Sequence, residues 1–159
     1  ELMLEAKAKE KTEDLPRIIA TDISPEAVEN AHSNAIAAGV APYIEFKACD
    51  FADTPIPTSQ PRNLATSQLP KGCVFFNPEY GIRLGDSKEL APVYERIGTF
   101  LNEKCRGWTG ALITGNPDLA RLVNLYYKTR VPFYNGPIDC RLFLYEGCEL
   151  KGQNVNGHE

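Results

Sequence analysis

The sequence predicts an α/β fold: a mainly parallel sheet covered by helices on both faces, with a late antiparallel hairpin. Three observations predict it. Short runs rich in β-branched and aromatic residues alternate with segments of helical period. Three of those runs lead into polar residues, Asp22, Asp50 and Asn77, and parallel sheets bind ligands at the carboxyl ends of their strands. Near the end, Val131–Tyr134 and Leu142–Tyr145 flank Asn135-Gly136-Pro137, the composition of a hairpin.

Each element has a local reason. Glu1–Lys11 has helix-forming composition. Arg17–Asp22 is a β-rich run ending in an acid. Ser24-Pro25-Glu26 supplies an N-cap, a proline at the first helical position and an early acid. Ala27, Val28, Ala31, Ala35 and Ala38 form the expected buried face of that helix, and Gly39 stops it. Tyr43–Lys47 is the next strand. The Pro- and polar-rich stretch Thr54–Pro70 is a long loop. Gly72–Asn77, with Cys73-Val74-Phe75-Phe76 at its centre, is a strand expected to be buried. Pro92–Lys104 is helical, with Val93, Ile97, Phe100 and Leu101 on one face. Ala111–Thr114 is a strand, and Asn116-Pro117-Asp118 caps a helix carrying Leu119, Leu122 and Val123. The polar tail Lys151–Glu159 reads as disordered or a linker.

A chain of 159 residues fits one domain with a sizeable core. The sequence contains no apolar run near the ~18 residues of a membrane span. Cys49, Cys73, Cys105, Cys140 and Cys148 are widely spaced without a C-x-x-C, which points to reduced cytosolic thiols and no zinc site. The net charge of −4 argues against an autonomous nucleic-acid binder. Residues 1–80 hold the acidic excess, whereas residues 81–159 are nearly neutral and carry no dense basic stripe.

Asn77-Pro78-Glu79-Tyr80, at a strand exit and before Gly81, is the most informative stretch. A carboxamide oxygen and a backbone carbonyl can both accept hydrogen bonds from one exocyclic amino group. Proline fixes the backbone between them. An aromatic two residues on can stack on a base drawn out of its helix.

Successive segments resemble the motifs of Rossmann-like class I methyltransferases: Ala20-Thr21-Asp22-Ile23-Ser24-Pro25, Asn34-Ala35, Ala38-Gly39-Val40, Asp50 and Asn77-Pro78-Glu79-Tyr80-Gly81. Gly107-Trp108, Thr114-Gly115-Asn116-Pro117 and Tyr134–Leu142 resemble, more narrowly, the THUMP-associated ribosomal RNA guanine-N2 methyltransferases, the RlmL-like enzymes of 23S rRNA. The resemblance runs from Glu5 to Glu146. It implies S-adenosyl-L-methionine as cofactor and a 23S rRNA or large-subunit precursor as partner, with RNA gripped by a THUMP domain and no membrane. It implies that Asp22 accepts from ribose hydroxyls beside Ile23, that Asp50 takes the adenine amine beside Phe51, and that Asn77, Pro78 and Tyr80 hold the guanine. The guanine amine would then attack the methyl carbon directly, without a covalent enzyme intermediate.

Two departures stand out. The family's glycine-rich cofactor loop has no counterpart in this sequence. Residues 1–150 are therefore expected to be a partial methyltransferase domain missing its first strand and inactive in isolation, with 151–159 a tail. Glu79 also stands where the family usually has proline. Asn135 and Asp139 are assigned to ordering the late hairpin. Arg83 and Arg141 are open between phosphate contacts and surface ion pairs. His32 is read as structural. None of the cysteines follows a motif proline as a pyrimidine-C5 nucleophile does. An adenine-N6 DNA methyltransferase, or a non-catalytic binding module on the same fold, stays open as an alternative.

Overall fold

The computed structural model describes residues 2–9, 11, 13–56, 72–81 and 87–148. They belong to two compact units, Glu1–Pro55 and Ile56–Glu159. The loop and tail expected at Thr54–Pro70 and Lys151–Glu159 lie almost wholly outside the described residues.

The first unit is a strand–helix–strand unit preceded by a short helix, α1 (Leu2–Ala8). β1 (Ile18–Asp22) and β2 (Ile44–Ala48) pair in parallel, Ile18 opposite Ile44 and Asp22 opposite Ala48. The connecting helix α2 (Pro25–Ala37) starts as its sequence requires: the Ser24 hydroxyl accepts the Ala27 N–H, with Pro25 in the first turn. It ends in a Schellman-type turn. The Val40 N–H reaches the Ala35 carbonyl and the Gly39 N–H reaches the Ile36 carbonyl, with Gly39 at φ +75°. Of the expected apolar face, Ala35 is buried and Ala27 and Val28 are half-buried, but Ala31 and Ala38 are exposed. His32 takes the inner position, its ring 5.1 Å from that of Phe46. Arg17 and Glu45 close the start of the strand pair with two 2.6 Å hydrogen bonds.

The second unit is a four-stranded mixed sheet in the order β3-β4-β6-β5. β3 (Cys73–Phe76) and β4 (Thr109–Thr114) are parallel. β6 (Ile138–Glu146) lies antiparallel between β4 and β5 (Thr129–Asn135). Gly136 at φ +60° followed by Pro137 makes the two-residue turn of the β5–β6 hairpin. Paired residues share a face of a sheet, so Phe76, Leu112 and Phe143 line up across three strands. Helix α3 (Ser87–Lys104) packs there: the Phe100 ring meets Phe76 edge-on at 6.0 Å, and Leu101 lies over Gly110. α3 begins five residues before the expected start, with Pro92 inside it. Of the residues expected on its inner face, Ile97, Phe100 and Leu101 are buried and Val93 is half-buried; Tyr94 joins them. Helix α4 (Pro117–Leu122) is short, and Leu119, Ala120 and Val123 are buried. β3 is less buried than expected: Val74 and Phe76 on its inner face are half-buried, and Phe75, on the other, is 58% exposed.

Candidate active site

The Asn77–Tyr80 loop leaves the carboxyl end of β3 beside β4, which runs two residues further to Thr114. Asn77 and Glu79 are exposed; Pro78 and Tyr80 are half-buried. The Tyr80 hydroxyl donates to the Asn77 side-chain carbonyl at 2.6 Å, so two of the predicted site residues meet directly. Gly81, at φ +72°, turns the chain away immediately afterwards, a conformation that favours glycine.

Two side chains that sequence reasoning did not assign to the site hold this loop from below. The Tyr94 hydroxyl, on α3, donates to the Glu79 carbonyl at 3.0 Å and lies 2.8 Å from the Thr114 hydroxyl. The Asn116 side-chain amide donates to the Tyr80 carbonyl at 3.2 Å. Thr114 in turn accepts the Asn116 backbone N–H at 3.0 Å. Among the described residues the Pro78 carbonyl has no hydrogen-bond partner. Burial pushes the Tyr94 phenol up to about 12, against a smaller opposing effect of Thr114. Tyr80 is also raised, first by burial, with the Asn135 side chain opposing. Both phenols therefore keep their protons near neutral pH and remain donors. A signal for Tyr94 was present in the sequence: it stands three residues before Ile97 and seven before Leu101, the spacing of one helix face.

In the first unit, Asp22 and Asp50 stand at the carboxyl ends of neighbouring parallel strands, and the Cys49 N–H bonds the Asp22 carbonyl across them at 2.9 Å. One Asp22 carboxylate oxygen accepts the Ser24 N–H at 2.8 Å, turning the chain into α2. The other has no hydrogen-bond partner among the described residues. Asp50 likewise accepts the Ala52 N–H at 2.9 Å, at the start of the turn holding Phe51. Ile23 is 75% exposed and Phe51 half-buried. This rim carries acceptors beside apolar surface. That acceptor set fits a ligand that donates from a vicinal diol and an aromatic amine, the pattern of a nucleoside.

Asp139 and Arg141 form an ion pair that lowers the Asp139 carboxyl and raises the Arg141 guanidinium through their mutual hydrogen bonds. Of the two readings for Arg141, the ion pair is the one observed. Arg83 lies outside the described residues. Cys105, Cys140 and Cys148 are buried, Cys49 is half-buried and Cys73 exposed. Among the described residues no cluster of His, Cys, Asp and Glu could hold a metal, and no helix is long and apolar enough to cross a membrane.

Strand–helix alternation, acidic strand ends and the Asn-Pro-x-Tyr loop define an α/β, Rossmann-like methyltransferase fold. Solved structures agree. SMU.472, described as "a putative methyltransferase complexed with SAH", superposes with a TM-score of 0.73 at 22% identity over 96% of this chain and 36% of its own. A protein described as a possible methylase from Clostridium difficile 630 gives 0.73 at 26% identity over 98% and 37%. The chain belongs to the family of RMKL-like methyltransferase domains (UPF0020), whose model matches residues 1–143. Proteins named ribosomal RNA large subunit methyltransferase K/L are similar to it. That of Legionella pneumophila (strain Corby) is 35% identical over 127 residues, 80% of this chain and 16% of the relative. That of Syntrophotalea carbinolica is 30% identical over 152 residues, 94% of this chain and 20% of the relative. The chain thus spans a fifth or less of the length of these relatives.

Proposed function

We propose that this chain is the catalytic portion of a methyltransferase that methylates the N2 amine of a guanine in 23S ribosomal RNA, with S-adenosyl-L-methionine as methyl donor. The names of the relatives support the ribosomal RNA substrate. The observation that carries the choice of an amino group is the Asn77 amide oxygen. It lies at a strand end, and the Tyr80 hydroxyl at 2.6 Å marks where a hydrogen-bond donor reaches it.

In this reading the base amine takes the place of the Tyr80 hydroxyl. Its two hydrogens go to the Asn77 side chain and the Pro78 carbonyl, which leaves the nitrogen lone pair free to attack. The released Tyr80 ring supplies a stacking face. As the nitrogen gains positive charge, the two acceptors offset it. Asp22 and Asp50 hold the nucleoside part of the cofactor, with Ile23 and Phe51 against its ring. When bound, the cofactor would supply a methyl carbon made electrophilic by the adjoining sulfonium; the new N–C bond would replace the C–S bond, S-adenosylhomocysteine would leave, and the nitrogen's surplus proton would pass to solvent. The protein's part is mainly alignment. Grip on RNA comes from a THUMP domain elsewhere in the full-length protein, consistent with this chain's net charge of −4.

Single-turnover methylation of unmodified 23S rRNA by the full-length protein, with saturating cofactor, tests the reading. Asn77→Ala should lower transfer by about 10²–10³, the usual cost of losing a preorganised polar group at a reacting centre, while cofactor affinity stays near that of the wild type. Near-normal transfer by Asn77→Ala would remove Asn77 from the site. Methylation of adenine N6 in DNA in place of guanine N2 in rRNA would favour the DNA-modifying alternative.

A further inference from the structure

We infer that Tyr94 and Asn116 are positioning residues for the base-holding loop. They pin the consecutive carbonyls of Glu79 and Tyr80, so that the Asn77 amide and Pro78 carbonyl are presented together to an incoming amine. The inference rests on the role proposed for that loop.

The directions of the hydrogen bonds follow from proton counting. A phenol has one proton, and a carbonyl can only accept. Tyr94 spends its proton on the Glu79 carbonyl, so in its 2.8 Å contact with Thr114 it must accept. Thr114 then donates to Tyr94, while its oxygen accepts the Asn116 N–H. The result is one directed chain: Asn116 N–H to Thr114, Thr114 O–H to Tyr94, Tyr94 O–H to the Glu79 carbonyl. Tyr94 and Thr114 are 0% and 1% exposed, so their two hydroxyls are shielded from bulk water. Asn116 adds a second tether one residue on. Its amide nitrogen holds the Tyr80 carbonyl, while its oxygen caps α4 through the Asp118 and Leu119 N–H groups.

Both tethers grip the loop's backbone, so they do not depend on the residue at position 79. Glu79 supplies the same carbonyl as any other residue. The rigidity that a proline there would bring is instead supplied by Tyr94.

Two variants remove one tether each and keep the packing. Tyr94→Phe keeps the ring and loses the hydroxyl. Asn116→Asp keeps the helix-capping oxygen and replaces the amide donor with a second acceptor. Tyr145→Phe is the control, since it removes a buried phenol that has no hydrogen-bond partner among the described residues. The first readout needs no activity: backbone order parameters from ¹⁵N relaxation in the full-length protein. In both tether variants Tyr80 and Gly81 should fall below about 0.6, the range of flexible backbone, while β4 and β6 stay rigid. The second is single-turnover transfer at saturating RNA and cofactor. It should fall about tenfold or more, because small misplacement of a reacting group is costly, with the cofactor dissociation constant changed less than about twofold. Tyr145→Phe should alter neither. Unchanged loop order parameters in both tether variants would overturn the inference, as would transfer that falls only in proportion to the folded fraction. If the wild type transfers no methyl to guanine N2, the proposed function fails. The tethering is then still decided by the loop order parameters alone.

Discussion

At Asp22 one carboxylate serves two ends. One oxygen turns the backbone into α2 by accepting the Ser24 N–H, and the other is the one proposed to take a ribose hydroxyl. Asp22→Asn keeps an acceptor for Ser24 but lowers the charge offered to a ribose. It should leave thermal stability nearly unchanged and weaken S-adenosylmethionine. Asp22→Ala should weaken it further, by roughly 1.5–3 kcal/mol for a lost charged hydrogen-bonding partner. Calorimetric titration of the full-length protein checks both, and an unchanged dissociation constant in folded Asp22→Ala would reject the assignment. Tyr145 is the opposite case. Its hydroxyl is buried without a partner among the described residues, and burial raises its phenol. Replacing it with phenylalanine removes a polar group that costs about 1–3 kcal/mol when unsatisfied. Thermal melting of Tyr145→Phe should show equal or higher stability. The placement of Asp22 and Asn77 at strand ends was legible in the sequence, because each closes a β-rich run. The Tyr80–Asn77 hydrogen bond was not, because it depends on how the loop between them is bent.

Among the elements, α3 shows how a face can be legible while one of its members is not. The apolar spacing of Ile97, Phe100 and Leu101 announces a helix with an inner face. Tyr94 joins that face because its hydroxyl finds Thr114 and Glu79, and a phenol is buried readily only where a partner exists. The pairing of α3 with α4 depends on Gly98. A Cβ built there would lie 2.0 Å from the Val123 carbonyl oxygen, which is backbone and cannot swing aside. Gly98→Ala improves helix propensity by about 1 kcal/mol. It should nevertheless destabilise the second unit, since overpacking typically costs about 1–3 kcal/mol. A lowered urea midpoint with an unchanged denaturant slope is the expected result, and a raised midpoint would show that α3 and α4 can move apart at little cost. In the first unit, α2 was legible at both ends through Ser24, Pro25 and Gly39. Its inner face was legible only in part, because His32 rather than Ala31 turns toward Phe46.

Over the whole molecule, burial of neutral acids sets the response to pH. Burial raises Cys105 from 9.0 to about 12, Cys148 from 9.0 to about 11 and Tyr94 from 10.0 to about 12. In each case the folded state holds the proton more tightly than the unfolded chain. The stability these groups contribute is therefore complete below about pH 9 and is lost as pH rises through their folded values. A proton held tenfold more tightly in the folded state corresponds to about 1.4 kcal/mol. Urea midpoints should fall steadily between about pH 9 and 12, and Cys105→Ala should flatten the lower part of that fall. A midpoint constant over this range would mean the thiols ionise without unfolding. The acid side should be flatter, because Asp139 and Glu45, both lowered by their arginine partners, lie in solvent-screened surface pairs.

The sequence by itself determined the alternation of strands and helices, the caps of α2 and α4, the β5–β6 turn and the polar residues at the strand ends. All of these arise from forces that act within a few residues along the chain. The tertiary structure alone decided what supports the candidate site. Tyr94 reaches Glu79 across 15 residues, Thr114 meets Tyr94 across 20, and Asn116 holds Tyr80 across 36. It also decided the strand order, which sets β6 between β4 and β5. No local pattern encodes such meetings. A hydroxyl and a carbonyl become partners only when packing has brought them together and excluded the water that would otherwise satisfy both.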